Sequence, residues 1–351
     1  MGERKVNHEA VLYQKERDNF VRCSLCANRC RIPPGARGVC GVMENREGVL
    51  CSLVYGIVIA ENVDPIEKKP LFHVLPGSRT YSIATVGCNF HCTFCQNYSI
   101  SQMPRESGRI TGQKRTPAQI VEMALDSGSQ SIAYTYTEPT VFFEFAYDTA
   151  QIARQKGLKN IYVTNGYMTS EMLEMLSPYL DAVNVDLKSF RDEFYRKYCG
   201  GRLQPVLESL RKMKELGIWV EVTTLLIPDL NDSNEELSQI AAFIASLGTD
   251  TPWHISRFHP EYNMTDRPAT SSSSIHEAVK IGKSFGLKYV YSGNLPGDSG
   301  ENTFCPACGR LLIGRYGFSI EQFNLKNSTC PYCGEKIDGI FKKDGRLLDR
   351  A

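Results

Sequence analysis

The chain has 351 residues, 40 of them Lys or Arg and 39 Asp or Glu, which gives a formal net charge of +1 at pH 7. This length allows one large core with small attached modules, and the near-neutral charge argues against a global attraction to nucleic acid or to an anionic membrane, although a local basic patch stays open. The chain shows neither an apolar signal core nor an apolar run long enough to span a bilayer, so we expect a cytoplasmic protein.

The first chemical feature in chain order is a set of four cysteines near the N-terminus. The chain has 13 cysteines and no secretion signal, a combination that favours free thiols for metals or catalysis over disulfides. The set follows a C-x2-C-x3-C-x9-C spacing on a glycine-containing loop and consists of Cys23, Cys26, Cys30 and Cys40. The spacing suits either a structural zinc or an auxiliary [4Fe-4S] cluster, and we favour zinc.

The central part of the chain alternates short β-branched or aromatic runs with helical patterns, which predicts a parallel sheet covered by helices. Six strand-helix units are recognisable, and an extra strand follows them. Six units are too few to close an eight-unit barrel, so we predict an α/β fold with a partial (β/α)6 TIM-like barrel and chemistry at the carboxyl ends of its strands. The predicted strands are 81–86, 131–136, 160–164, 182–187, 220–226, 253–258 and 288–291.

Local signals mark the predicted helices. Thr116 and Gln119 form a capping box with Pro117 at the first helical position, and Gly128 is the expected terminator of this helix. Ser233 opens another helix, which ends at Gly248. Further helices are predicted over 141–155, 206–216 and 275–285, each followed by a glycine.

The most informative motif directly follows the first predicted strand. Cys88, Cys92 and Cys95 have a C-x3-C-x2-C spacing, which holds a [4Fe-4S] cube by three corners, whereas such cubes normally have four thiolate ligands. The open iron is then free for a small chelating molecule. The alternative is half of a structural zinc site, for which His91 is a possible further ligand, although its position between two cysteines suits a tight turn better.

Polar residues follow several later strands of the predicted barrel. Asp186 and Lys188 share one face of the fourth strand because side chains alternate, and they form either a ligand pair or a structural ion pair. Asn165 after the third strand either donates to a ligand or belongs only to a turn. His254 and His259 on the sixth strand face opposite sides, so only one of them faces the cavity.

Two C-P-x-C-G knuckles near the end of the chain supply Cys305, Cys308, Cys330 and Cys333. Four thiolates of this kind form a closed tetrahedral site, for which we favour zinc over a single iron. Because this short segment cannot build much core, the metal is expected to supply folding energy. We therefore predict an N-terminal four-cysteine metal-binding module at 1–65, the barrel at 66–300 and a zinc ribbon at 301–351.

The C-x3-C-x2-C motif, with aromatic Phe94 before its last cysteine, resembles the signature of the radical S-adenosylmethionine (SAM) superfamily. Segments 68–77, 134–139, 256–260 and 293–297 further resemble the AmmeMemoRadiSam system radical SAM enzymes, relatives of pyruvate formate-lyase activating enzymes. The resemblance implies that an electron from the cluster splits SAM to a 5'-deoxyadenosyl radical. This radical abstracts hydrogen from a substrate that the sequence does not identify.

The same resemblance implies roles for individual residues and partners. Glu138 stands where the activases carry a Gly-Gly-Glu run and is therefore expected to accept the SAM ammonium. The two glycines of that run are replaced here. The alternative is that Glu138 only caps the following helix. Asn165, Asp186 and Lys188 are expected to hold SAM, and His254 to approach its ribose or the substrate. Implied partners are an electron donor such as flavodoxin or ferredoxin and the two other protein families of the AmmeMemoRadiSam system.

Several alternatives stay open at the level of sequence. The enzyme is either an activase that places a glycyl radical on a partner protein, or it modifies a small molecule, a protein side chain or RNA directly. From another class, a non-catalytic zinc protein would bind partners through its ribbons. Cys51 and Cys199 lie outside the three sets, and burial of Cys199 is favoured over a reactive thiol.

Overall fold

A computed structural model of the chain describes residues 8–342. Its centre is an eight-stranded sheet in which seven strands are parallel and one edge strand is antiparallel. The strands are β1 Ala60–Pro65, β2 Arg79–Ala84, β3 Ser131–Tyr134, β4 Lys159–Thr164, β5 Ala182–Asp186, β6 Trp219–Leu226, β7 Trp253–Arg257 and β8 Val290–Gly293. Each strand pairs with its neighbours in the sequence, and β8 and β1 are the two edges. The barrel is therefore open on one side.

Helices connect the parallel strands, and the longer ones bury one apolar side, as the helix Leu203–Glu215 does with Val206, Leu210 and Met213. The helices are α1 Tyr98–Ser101, α2 Met103–Ser107, α3 Pro117–Asp126, α4 Phe143–Gln155, α5 Ser170–Leu176, α6 Asp192–Phe194, α7 Leu203–Glu215, α8 Asn234–Leu247 and α9 Ser272–Ser284. Short 3-10 or π turns lie at Arg17–Asn19, Ile66–Lys68, Pro139–Phe142, Tyr195–Cys199 and Ser299–Glu301. Within residues 8–342, none of the helices has the length and apolarity needed to cross a bilayer.

The partial barrel predicted from the sequence is confirmed. All seven predicted strands are present, with ends shifted by two residues or fewer. The predicted caps are also confirmed: Thr116 accepts a hydrogen bond from the Gln119 backbone at 3.2 Å, and Ser233 accepts one from Glu236 at 3.3 Å. The sequence does not predict β1, because this edge strand carries charged residues and exposes much of its length.

The N-terminal segment forms two small antiparallel sheets that pack onto the barrel. One contains His8–Glu9, Met43–Arg46 and Val49–Ser52, and the other contains Tyr13–Lys15, Val21–Cys23 and Arg31–Ile32. Ile57–Val58 pairs separately with Gln113–Lys114. Strand β1 belongs to the main sheet, and Val21, Leu25 and Val42 share one hydrophobic core with the barrel.

The C-terminal segment is a three-stranded antiparallel ribbon with β9 Thr303–Phe304, β10 Leu311–Tyr316 and β11 Ser319–Phe323. Its core includes Phe72 and Tyr291 of the barrel. The buried Arg315 guanidinium donates to the Phe72 carbonyl at 3.0 Å and to Thr303 Oγ1 at 2.8 Å. His73 contacts the Tyr291 hydroxyl at 2.6 Å. The ribbon is therefore fixed to β8 and to the chain that precedes β2.

Candidate active site

One cavity of about 570 Å³ lies inside the partial barrel. It brings together every residue predicted from the sequence to bind the cluster of the barrel or SAM, although these residues come from five different strands or the loops after them. They are Cys88, Cys92, Cys95, Glu138, Asn165, Asp186, Lys188 and His254. The carboxyl ends of parallel strands meet at one edge, which explains the convergence of these residues except His254, which lies near the amino end of its strand. His259, the competing histidine, is exposed and is not part of the lining.

The cysteine loop is held by glycines and by the segment after α6. Gly87 precedes Cys88 with a φ of +104°, and a Cβ there would lie 2.6 Å from Val42 Cγ1, so no other residue fits without displacement. The backbone amides of His91 and Thr93 donate to the carbonyls of Cys199 and Tyr198 at 2.9 and 3.0 Å. These contacts fix the loop at the mouth of the barrel.

The three loop cysteines do not form a compact zinc site. In the described part of the chain, the ribbon cysteines are the one set of three or more His, Cys, Asp or Glu residues whose ligand atoms all lie within 4.8 Å of one another. His91, the possible fourth ligand, is exposed and its ring packs over Gly200. At least one pair of the three loop sulfurs therefore lies more than 4.8 Å apart, a spacing that suits the corners of a cube better than one tetrahedral ion.

Cys199 is buried, as expected, but it also contacts the cysteine loop. Its thiol donates to Cys92, and this hydrogen bond lowers the pKa of the Cys92 thiol, with the charge of Lys188 acting in the same direction against burial. Both effects favour the thiolate, which is the form that binds iron. The sequence carried no signal for this contact because the two residues are far apart in the chain.

Glu138 is a buried carboxylate at the cavity wall. Its Oε1 accepts hydrogen bonds from Thr140 N at 3.1 Å, Thr140 Oγ1 at 2.6 Å and Thr164 Oγ1 at 2.8 Å, and its Oε2 accepts one from Asn165 N at 2.8 Å. Burial raises the pKa of Glu138, and these donors oppose the shift. Glu138 therefore caps the turn Pro139–Phe142 and also lines the cavity.

One of the two residues that replace the glycines before Glu138 keeps a glycine-like backbone. Tyr136 has a φ of +63°, the left-handed conformation that side chains rarely adopt. Its carbonyl accepts a hydrogen bond from Asn97 Nδ2 at 2.8 Å, and its hydroxyl donates to Asp64. These contacts hold a conformation that glycine would adopt without help.

Asp186 and Lys188 form the ion pair foreseen as one alternative, and both line the cavity. Lys188 Nζ lies 2.9 Å from Asp186 Oδ2 and 5.9 Å from the centre of the Phe94 ring. Although burial disfavours the ammonium charge, Asp186 and the nearby thiols of Cys92 and Cys199 raise the pKa of Lys188 well above its usual value. The pair places one fixed cation next to the cysteine loop.

His254 lies at the amino end of β7 and therefore on the cavity floor. Its Nε2 contacts Glu221 Oε2 at 2.6 Å, and Glu221 also accepts hydrogen bonds from the backbone amides of Phe72 and His73 at 3.0 and 2.9 Å. Despite burial, the contact with His254 lowers the pKa of Glu221. His254 thus has a structural partner as well as a place in the cavity lining.

Sequence reasoning assigned no chemistry to the wall on the open side of the barrel. Lys68 and Lys69 lie there, and their ammonium groups contact Asp64 at 2.9 and 2.7 Å. Lys69 also lies 4.4 Å from the centre of the Tyr136 ring. From the ribbon, Phe318 reaches the same cavity. The Lys-Lys-Pro sequence can be recognised in the chain, but the sequence does not predict that the ribbon contributes to the same cavity.

The donor set of the cavity fits an iron-sulfur cluster and SAM. Three thiol groups on one loop are the ligands that iron-sulfur clusters use. A buried carboxylate and a buried cation are the charges that complement an amino acid ammonium and carboxylate. The fold and this site together define a metal-dependent enzyme with a partial TIM-like barrel.

Comparisons with known proteins agree. The model of the radical SAM superfamily matches residues 82–244. The chain is 49% identical over 333 residues to an uncharacterised protein of Methanocaldococcus jannaschii, covering 94% of this chain and 98% of that protein. It is 25% identical over 215 residues to a putative glycyl-radical enzyme activating enzyme of the same organism, covering 60% and 77%. It is 23% identical over 178 residues to the pyruvate formate-lyase-activating enzyme of Clostridium pasteurianum, covering 49% and 71%.

Solved structures that match part of the chain include a domain of the pyruvate formate-lyase-activating enzyme of Bacteroides vulgatus. The TM-score is 0.42, with 18% identity over 47% of this chain and all of that one. Another is Streptococcus suis SuiB bound to S-adenosylmethionine, with a TM-score of 0.47 and 12% identity over 65% of this chain and 53% of that one. Residues 82–244 therefore form a radical SAM domain, and the protein is an enzyme. Such a domain implies a [4Fe-4S] cluster, SAM, a substrate and an electron donor.

Proposed function

We propose that this enzyme cleaves SAM reductively at a [4Fe-4S] cluster held by Cys88, Cys92 and Cys95, and that the product radical abstracts hydrogen from a substrate in the same cavity. We assign SAM binding to Glu138, Asn165, Asp186 and Lys188, with His254 on the floor toward the ribose or the substrate. The observation that carries the proposal is the convergence of all eight side chains on one cavity.

The chain's own residues perform positioning and charge stabilisation. Glu138 presents a carboxylate whose orientation is fixed by four donors, so an ammonium bound there meets a preorganised acceptor. Lys188 holds a positive charge near the Cys92 thiolate and offers a donor to a carboxylate. The bound cluster and SAM supply the electron and the radical chemistry. The apolar rings of Phe90 and Phe94 in the lining keep water away from the reaction.

The direct test is 5'-deoxyadenosine formation after anaerobic reconstitution with iron and sulfide and addition of dithionite and SAM. We expect product with the wild type and none with Cys92→Ala. Cys51→Ala is the matched control, since Cys51 is also buried but lies on the strand Val49–Ser52 and outside the cavity. Absence of product in the wild type, or equal product in Cys92→Ala, would refute the proposal.

We further propose that the substrate is a protein, as it is for an activase that places a glycyl radical on a partner. Relatives named as activating enzymes support it. So does the ribbon hairpin, whose Tyr316 and Phe318 are 67% and 49% exposed while Phe318 lines the cavity. Exposed aromatic side chains at a mouth suit docking of a macromolecule. Candidate partners are the other proteins of the AmmeMemoRadiSam system, with flavodoxin or ferredoxin as electron donor.

Deuterium transfer tests the substrate. A candidate partner protein labelled at glycine should transfer deuterium into 5'-deoxyadenosine, and Phe318→Asp should abolish transfer without changing uncoupled SAM cleavage. Transfer from a labelled small molecule or RNA instead would assign direct modification. Equal transfer by Phe318→Asp and the wild type would remove the ribbon from substrate docking.

We also propose zinc for the ribbon and a reducing compartment for the protein. The sulfur pairs Cys305 and Cys333, and Cys308 and Cys330, lie 3.6 and 3.7 Å apart. Four thiolates around one zinc at about 2.3 Å stand about 3.8 Å from one another. Thirteen cysteines without a disulfide among those described favour the cytoplasm.

A further inference from the structure

The three cysteine sets of this chain differ in how far apart their sulfurs stand. The ribbon sulfurs are close enough to share one ion, as shown above. In the described part of the chain no other three cysteines meet the same 4.8 Å limit, so both the barrel loop and the N-terminal set are wider. The ligands of one zinc must be close together, whereas the ligands of a cube bind different irons at its corners.

The four N-terminal cysteines nevertheless line one common, partly open cavity. Cys23, Cys26, Cys30 and Cys40 all line a cavity that they share with apolar side chains, namely Leu25, Ile32, Met43 and Val141. The cavity also contains Gly38, where a Cβ would lie 3.6 Å from Cys30 Sγ and would fill part of the space. Convergent thiols around a space lined mostly by apolar groups are the surroundings of a buried metal centre.

Backbone amides surround these sulfurs. Val39 N lies 3.5 Å from Cys30 Sγ, and the amides of Leu25, Asn28 and Val42 face the sulfurs of Cys23, Cys26 and Cys40. Hydrogen bonds of this kind stabilise thiolate charge in a buried cluster. The set therefore combines sulfurs that do not all lie within 4.8 Å of one another, a shared cavity and a backbone donor for every ligand.

We propose that Cys23, Cys26, Cys30 and Cys40 hold a second, fully ligated [4Fe-4S] cluster that exchanges electrons with the cluster of the barrel. This assignment replaces the zinc favoured from the sequence. All four corners are occupied by thiolates, so this cluster has no open iron for SAM, and its chemistry is electron transfer.

The two sites are separated by a single side chain, Asn89. Its Oδ1 lies 3.8 Å from Cys88 Sγ and accepts a hydrogen bond from Asn165 Nδ2 at 2.7 Å. Its Nδ2 has no oxygen or nitrogen acceptor among the described residues, and the Cys26 sulfur lies beside it. Asn28, two residues after Cys26, donates to the Asn89 carbonyl at 3.1 Å. The second cluster is thus in contact with the residue next to Cys88.

This placement defines a one-electron path. A low-potential donor protein, flavodoxin or ferredoxin, is oxidised and reduces the N-terminal cluster. The electron passes to the three-cysteine cluster and then to the SAM sulfonium, whose carbon-sulfur bond breaks to methionine and the 5'-deoxyadenosyl radical. The relay role rests on the proposed function, whereas the metal assignment does not.

Metal stoichiometry tests the assignment on the full chain. Reconstitution with iron and sulfide in the presence of zinc should give about eight irons and about eight sulfides per chain, with one zinc in the ribbon. The variant with Cys88, Cys92 and Cys95 replaced by alanine should keep about four irons and the electron paramagnetic resonance (EPR) signal of a reduced cube. About four irons and two zincs in the wild type, or no iron in the triple variant, would overturn the proposal.

A second measurement tests the contact between the clusters. After full reduction, the wild-type EPR signal should be broadened by coupling between two neighbouring paramagnets. Cys30→Ala with Cys40→Ala, and the triple variant, should each give one narrow signal. A wild-type spectrum equal to the sum of the two variant spectra would refute electronic contact. Eight irons without 5'-deoxyadenosine formation would support this cluster and refute the proposed function.

Discussion

Glu138 offers the sharpest test of how SAM is held. Replacing it by glutamine keeps the shape of the side chain but removes its charge. The amide NH2 takes the place of Oε2 at least cost, because Oε1 accepts three hydrogen bonds and Oε2 accepts one, from Asn165 N. In the variant, the side-chain NH2 group therefore faces the backbone N–H of Asn165, so that two donors meet. The acceptor for the SAM ammonium is also lost.

The expected magnitude follows from these contacts. A hydrogen bond to a charged group contributes about 1.5 to 3 kcal/mol. Loss of that contribution to a bound ammonium weakens SAM binding roughly 10-fold to 100-fold, since about 1.4 kcal/mol is a factor of ten. The assay is anaerobic titration of the iron-loaded enzyme with SAM, followed by calorimetry and by the change in the cluster's EPR spectrum.

Glu144 is the matched control for this substitution. It is also a buried glutamate, six residues further along the chain in α4, but it accepts a hydrogen bond from Val11 N at 3.3 Å and does not line the cavity. Glu144→Gln should bind SAM as the wild type does. Wild-type affinity in Glu138→Gln, or an equal loss in both variants, would refute the role of Glu138 in binding the ammonium.

Three further predictions concern stability and metal retention. Burial raises the pKa of Glu144 from 4.5 to about 7, so the folded state holds its proton more tightly than the unfolded chain and stability falls as the pH rises through this range. The loss of unfolding free energy between about pH 5.5 and about pH 8 should be about 2 kcal/mol smaller in Glu144→Gln, as measured by anaerobic urea unfolding. Gly87→Ala should lower the iron content, because its Cβ would lie 2.6 Å from Val42, whereas Gly128→Ala, at a φ of +67° with nothing within 4 Å, should keep it. Cys308→Ala should lose one zinc per chain and lower the melting temperature, which elemental analysis and calorimetry would show; unchanged zinc content would refute the ribbon site.

Local signals in the sequence were sufficient to predict most of the strands and helices of the barrel. The capping box at Thr116 is one such signal, since it depends on residues three positions apart. The choice between His254 and His259 needed the sheet itself. Register pairs His254 with Thr223 and Tyr291 inside the barrel, while His259 lies beyond the end of β7. Alternation of side chains along one strand predicts that the two histidines face opposite sides of the sheet. Which of these sides is enclosed depends on the neighbouring strands.

Long-range contacts could not be predicted from the sequence, for a physical reason. Arg315 and Phe72 are 243 residues apart, and Cys92 contacts Cys199 from another loop. No periodicity connects such residues, because their proximity depends on how complete layers pack. The N-terminal cysteines show the same limit. Their spacing along the chain suits zinc or a cluster, with zinc favoured, whereas the proposal of a cluster needs their positions in space, where the sulfurs do not all lie within 4.8 Å of one another.

The cavity has two walls that come from different parts of the fold, and we expect only one of them to select the substrate. The groups assigned to the cluster and SAM come from strand ends of the parallel sheet. The opposite wall, on the open side, comes from Lys68, Lys69 and the ribbon residue Phe318. Because Arg315 of the ribbon donates to the carbonyl of Phe72, in the segment that supplies Lys68 and Lys69, the position of the ribbon is coupled to this wall. Residues that select the substrate are therefore expected on the ribbon and on 66–72, where substitutions can change the target while radical formation is retained.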